Sequence, residues 1–446
     1  MSSMKTGSGN LEDLESLKAL VNQPAPKVTV EKLNKENGRI CNPEKKNRGS
    51  SFRQVCATLL ANLGTINTGM AFGFSAIAIP QMEDPNSSLV IDQYQASWIA
   101  SLTAVSTPIG CILSGYLMDL IGRKKTLIMT QLPTLAGWLL IGSATTVPMV
   151  YAGRLLVGLG SGMVGAPARV YTAEATQPHL RGMLSAVASV GVSLGVLIEY
   201  FLGAIFNWTT VALLSSLVPT FALIGGFLLP ESPTWLMSAG KEEQSRKALN
   251  KLRGRNCDIE KEANQLQDFA KTHNVQKPTS ISETLKAIAK PSTIKPFFII
   301  VLYFLIYQFS GVNPITFYAV LVFQESGASL DKYLATVTMG IVRLVFTIVS
   351  CIMLRRCGRR PLTFISSIGC GISLLVLGTY MYFRLGWISA GQPPQVTWLP
   401  VAAMMIFTAA SVMGYLVVPW VMIGEVYPTQ DVHVMLLVTN VSSNTM

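Results

Sequence analysis

Hydrophobic residues along this chain are gathered into long runs, near 54–78, 95–117, 126–144, 147–171, 183–205, 208–229, 296–320, 333–354, 361–383 and 397–421. Each run is about the roughly 20 residues a helix needs to cross some 30 Å of hydrocarbon. The pattern predicts ten membrane-spanning helices and an all-α membrane protein. Polar residues between the sixth and seventh runs divide the chain. The expected parts are a tail over 1–53, a six-helix bundle over 54–230, a linker over 231–295, a four-helix second bundle over 296–421 and a tail over 422–446. In the linker, Lys241–Arg253 and Ile259–Lys271 have helical periodicity and mixed charge, which predicts short amphipathic helices beneath the bundles.

Composition agrees with a bilayer as solvent. Half of the residues are hydrophobic, 13% are charged, and the mean hydropathy is +0.42, values outside the range of a soluble domain. The net charge of +11 follows membrane topology and does not form a nucleic-acid-binding face. Arg123, Lys124, Lys125, Arg169, Arg181, the basic residues of 241–295 and Arg355, Arg356, Arg359 and Arg360 fall on one side. The opposite loops carry only Lys332 and Arg384, so the first side is cytosolic, and both termini with it. The start of the chain shows neither a signal peptide nor a lipidation motif, and the plasma membrane is the expected location.

The first outer loop holds Glu83, Asp84, Asp92 and an Asn86-Ser-Ser sequon, making Asn86 a glycosylation candidate. Asn207-Trp-Thr is a second sequon, in a turn too tight to favour modification. The seven cysteines lack metal-type spacing, and His179, His273 and His433 lie outside the spans, away from any cysteine or carboxylate cluster. The sequence thus offers no metal site, cofactor or enzymatic nucleophile. The partners it implies are a small-molecule substrate and lipid, with no nucleic acid; oligomeric state is left open.

Two short basic hairpins stand between apolar runs, Gly115-x-x-x-Asp119-x-x-Gly122-Arg123-Lys124 and Arg355-Arg-Cys-Gly358-Arg359-Arg360. A hairpin used twice at matching places is the mark of an internally duplicated transporter. Further stretches are Tyr171-Thr-Ala-Glu174 through Arg181-Gly182, Pro230-Glu231-Ser232-Pro233, Gln308-Phe-Ser-Gly311-Val-Asn313 and Pro419-Trp420 through Gly424-Glu425. With these, the chain over about 52–430 resembles the sugar-porter branch of the major facilitator superfamily. The last stretch is most similar to insect facilitated trehalose transporters.

The resemblance implies a two-bundle fold and alternating access around a central sugar site. It implies substrate contacts from Gln308 and Asn313, from Trp420 stacking on a sugar face, and from Tyr307, Ser189 and Arg343. Tyr307 and Ser189 stand where glutamines are usual, so the pocket is expected to be altered. Cytosolic gating is implied for Asp119, Arg123, Glu174, Arg181, Glu231, Arg359 and Glu425, with Glu174 and Arg181 as half of a salt-bridge network.

Two charges stand deep in spans, Glu199 in the fifth and Arg343 in the eighth. A lone charge at a helix centre costs about 2.5–3.5 kcal/mol on insertion scales, so a Glu199–Arg343 pair is expected. Proton-linked porters of this kind place an aspartate in the first span where this chain has Ala71, which favours facilitated diffusion.

The second half departs from the pattern. Arg355 stands where an acid is usual, Val432 and His433 replace the expected Arg-Gly after Glu425, and no apolar run follows the tenth. The resemblance expects twelve spans, and the eleventh would meet Asp119. The sequence therefore leaves two readings: a facilitative transporter of trehalose or a hexose, or a truncated non-transporting form acting as a sugar sensor or dominant-negative partner.

Overall fold

A computed structural model describes residues 50–254, 258–275, 291–327 and 330–426. The tail before residue 50, Val432 and His433 lie outside the described residues, as do the side chains of Arg355 and Glu425. All of the regular elements described are helical.

The first four expected spans are α1 (Ser51–Met82), α2 (Gln93–Ile121), α3 (Arg123–Gly142) and α4 (Val147–Ala175). The fifth is α5 (Pro178–Leu184) continuing into α6 (Val187–Ile205), and the sixth is α7 (Trp208–Ser215) continuing into α8 (Leu217–Leu228). Among the described residues, eight helices are long and apolar enough to cross a membrane, against ten expected. Lys125 and Gln131 dilute the apolarity of α3. The seventh expected span starts as α12 (Pro291–Phe309), in which Phe298–Phe309 forms a shorter apolar stretch, and continues past a break as α13 (Val312–Phe317) and α14 (Ala319–Ser326).

Capping sets where the helices begin. Asp92 and Gln95 form a reciprocal box at the start of α2, with bonds of 2.7 and 3.2 Å, satisfying amides that would otherwise lack partners. In the first bundle, close approach does much of the packing. A Cβ on Gly69 would stand 1.9 Å from the Val192 carbonyl oxygen, and one on Gly195 would stand 1.9 Å from that of Ile66. Helices in lipid gain by such contact because burying apolar surface against apolar lipid yields little. Trp138 completes the core, donating its indole N–H to Asn67 at 2.6 Å.

Beneath this bundle lie α9 (Pro233–Ser238), α10 (Glu242–Arg253) and α11 (Ile259–Val275). Leu252 packs with Ala57, Ala61 and Ala175, and Arg253 binds Glu262 at 2.8 Å and the Ala175 carbonyl. The linker helices expected from periodicity are thus present and docked under α1 and α4.

The second bundle consists of α12–α14, α15 (Lys332–Arg356), α16 (Arg359–Ser389), α17 (Leu399–Ser411), a π turn over Val412–Leu416 and α18 (Val418–Val426). The two hairpins share a backbone device. Gly122 before α3 and Gly358 before α16 both have positive φ, +101° and +77°, a region that glycine enters without a Cβ penalty.

Candidate functional site

The two bundles meet along a seam between α6 and α15. Ser193 and Thr347 share a 2.7 Å hydrogen bond across it, Gly340 lies against Leu197 and Tyr200, and the Tyr200 hydroxyl donates to the Thr316 carbonyl at 2.8 Å. Ser189 is buried four residues before Ser193, on the same helical face.

The break in the seventh span gathers polar groups here. Gly311, at φ +78°, ends one helix and starts the next. The turn brings Asn313 back to Gln308, whose Oε1 accepts from Asn313 Nδ2 at 2.6 Å, while Tyr307 donates its hydroxyl to Asn313 Oδ1 at 3.2 Å. Arg343 Nη1 donates to Thr316 Oγ1 at 3.1 Å. Gln308, Asn313, Tyr307 and Arg343, separated by up to 36 positions in sequence, therefore share one region of the seam. Amides that both donate and accept suit vicinal hydroxyls.

Trp420 lies edge-on to Phe304 at 5.4 Å. One face of its ring is covered by the Arg169 guanidinium, 4.0 Å from the centroid. Arg169, grouped by sequence with the cytosolic anchors, is half-buried and reaches from α4 to α18. Met118, Val170, Ile300, Phe304 and Tyr307 belong to one packed cluster against which Trp420 lies. At the opposite end, a cleft of about 400 Å³ is bordered by Glu83, Gln93, Ser97, Tyr318 and Glu325.

The expected Glu199–Arg343 pair does not form. Glu199 lies about a third of a turn away from the α6 face that meets α15, because residues 193, 197 and 200 occupy that face. Its carboxylate turns into the first bundle, accepts from Ser215 at 3.0 Å, packs beside Gly73 and feels the charge of Arg154. Arg154 is fully buried and went unnoticed in the sequence, although an arginine within the run 147–171 is itself a signal. It donates to the carbonyls of Ile99 and Ala71, both at 3.0 Å, and to Ser75.

The cytosolic network also differs from expectation. Glu174 pairs with Arg123 through two 3.0 Å bonds and accepts from Ser232, while Arg181 is exposed and has no ion pair among the described residues. Arg181 lies on the short helix α5, beyond the end of α4. Asp119, expected to wait for an eleventh span, meets Arg123 at 3.3 Å. Glu231 accepts from the backbone N–H groups of Lys124 and Ser232, both at 2.9 Å. Burial draws the Lys124 ammonium below the ordinary lysine range, with Glu231 opposing the shift. Arg359 opens α16, and Asn86 is exposed in its loop. Among the described residues no cluster could hold a metal ion.

Helical bundles joined beneath by a docked linker, with polar groups concentrated on the seam between them, define a membrane transporter of the major facilitator kind. The chain belongs to the sugar transporter family: the "Sugar (and other) transporter" family pattern matches residues 56–446. That match extends through the stretch after Gln430, which had read as unlike the family.

The chain is 32% identical over 379 residues to the facilitated trehalose transporter Tret1 of Culex quinquefasciatus, covering 85% of this chain and 72% of that protein. It is 33% identical to that of Apis mellifera ligustica, covering 84% and 74%. Against the Anopheles gambiae protein, also 33% identical, it covers 84% of itself but spans 47% of the relative's length. Among solved structures, the proton:xylose symporter XylE bound to 6-bromo-6-deoxy-D-glucose superposes with a TM-score of 0.71 at 22% identity, covering 89% of this chain and 86% of that one. A partially occluded inward-open form of XylE from E. coli gives 0.69 at 21% identity, covering 88% and 91%. At these identities the structural likeness shows the fold alone. The chain is a transporter of the membrane and not an enzyme.

Proposed function

We propose that this protein carries a sugar across the plasma membrane by facilitated diffusion, the bundles rocking about the α6–α15 seam to expose one central site to each side in turn. Trehalose and hexoses are the substrates suggested by the named relatives. The observation that carries the reading is the linked set Tyr307–Asn313–Gln308 at a helix break on the seam. Polar groups at such a break, flanked by apolar helix, are suited to exchange their mutual bonds for substrate hydroxyls.

The proposed path has a cytosolic door in Arg169, Trp420 and the packing around Met118. Its latch is the Arg123–Glu174–Ser232 cluster with Asp119 and Glu231, and Arg359 and Glu425 supply the matching positions in the second half. Both termini face the cytosol, and Asn86 is the glycosylation acceptor of the outer loop.

Absence of proton coupling is supported by the surroundings of Arg154. In this chain Arg154 reaches the backbone carbonyl of Ala71, the position where coupled porters of similar pattern carry an acid.

The test is counterflow in proteoliposomes containing the purified chain. Preloaded trehalose or glucose is expected to drive entry of the same labelled sugar, and Gln308→Ala is expected to lower that entry about tenfold. This factor corresponds to about 1.4 kcal/mol, the scale of one hydrogen bond to a neutral group. Absence of counterflow with every sugar tried would contradict the proposal.

A further inference from the structure

Among the described residues, no carboxylate on the seam is paired with Arg343. Gly340, Arg343 and Thr347 are three and four positions apart, on one face of α15. Gly340 and Thr347 both contact α6, so the face carrying Arg343 is the one turned to the first bundle, near the middle of a 25-residue helix. The residue is 6% exposed. Of its five N–H donors, Nη1 meets Thr316, and Nε has no hydrogen-bond partner. The phenols of Tyr200 and Tyr307 lie near it. Glu199 is turned away toward Ser215, and Glu83 and Glu325 border the outer cleft, whose lining does not include Arg343.

A guanidinium this deep, with its Nε unpaired and no carboxylate paired with it among the described residues, is costly unless an anion joins it for part of the cycle. Tyr307, Asn313 and Gln308, bonded to one another, offer donors and acceptors suited to hydroxyls, and a second cation, Arg169, lies over Trp420.

We propose that the central site takes a sugar bearing a negative charge: a polyol whose oxyanion, carboxylate or phosphate, lies on the Arg343 fork while its hydroxyls meet Gln308 and Asn313. The planar fork matches two oxygens of such a group at once. This assignment rests on the transport reading for the location of the site and extends it from neutral sugars to sugar anions.

The experiment is equilibrium binding to the full purified chain in lipid nanodiscs at constant ionic strength, comparing glucose, glucuronate and glucose 6-phosphate. At least one anion is expected to bind ten times or more tightly than glucose. Tighter glucuronate identifies a carboxylate, and tighter glucose 6-phosphate a phosphate. Arg343→Gln is expected to abolish the preference, and Arg343→Lys, which keeps the charge without the fork, to retain part of it. Glucose binding as tightly as both anions would overturn the anion assignment and leave the sugar-transport reading standing. No binding of any of the three would overturn the anion assignment, while the counterflow assay with trehalose and glucose decides the transport reading separately.

Discussion

Arg123 illustrates how much depends on partners that sequence does not name. Its side chain is 6% exposed and sits between Asp119 and Glu174. Glu174→Ala would leave that buried cation with the more exposed Asp119 alone, a loss on the order of 3 kcal/mol. The expected result is a clearly lower melting temperature in detergent and reduced uptake. Arg181→Ala, at an exposed residue, is expected to leave both values where they were. The motifs made Arg123 and Glu174 legible as functional, because charge-bearing turns stand out between apolar runs. Their pairing was not legible, since it depends on how α2, α4 and the turn before α9 converge. The same reason hid Arg154, whose acceptors come from two other helices, and sent Glu199 toward Ser215 instead of Arg343.

Between helices, glycine placement and helix breaks decide what touches. Gly195 lets α6 approach the backbone of α1 so closely that Gly195→Val would drive a side chain into the Ile66 carbonyl. Loss of folded protein, read as aggregation on size exclusion in mild detergent, is the expected outcome, while Gly182→Ala, with open space around it, should elute normally. Hydrophobic runs located most helices well because period and length survive in sequence. The seventh span was legible as apolar but not as broken, although Gly311 and Pro314 marked the place. The Arg169–Trp420 contact, proposed as a door, provides a second test at this scale. Met118 is fully buried behind the Arg169–Trp420 contact, and Arg169→Ala removes one side of it. A Met118→Cys reporter is expected to react with a thiol reagent several times faster in the Arg169→Ala background than with Arg169 intact.

For the whole molecule, the duplicated hairpins, each turned by a glycine of positive φ, were sufficient to suggest two related halves before any geometry was known. Helices differ in how much they bury: in the membrane window of α1, 56% of residues are inside, against 22% in α16 and 67% over Leu399–Met422. That asymmetry could not be read from hydropathy, which is similar in kind for a helix facing protein and one facing lipid. The seam itself was foreseen only as a region. Its actual contents, a linked phenol and amide pair beside a buried arginine, emerged from the folding of α12–α15 against α6.

The central claim is passive movement of a sugar through that seam. It is tested most directly by labelled sugar uptake into proteoliposomes, with trehalose, glucose and glucuronate each offered with and without an imposed pH gradient of two units. The result expected is entry of at least one sugar that stops when internal and external concentrations are equal, at a level the proton gradient does not change. Accumulation above that level when the outside is acidic would contradict facilitated diffusion and point to Glu199 as a proton carrier; no entry of any sugar would contradict transport itself.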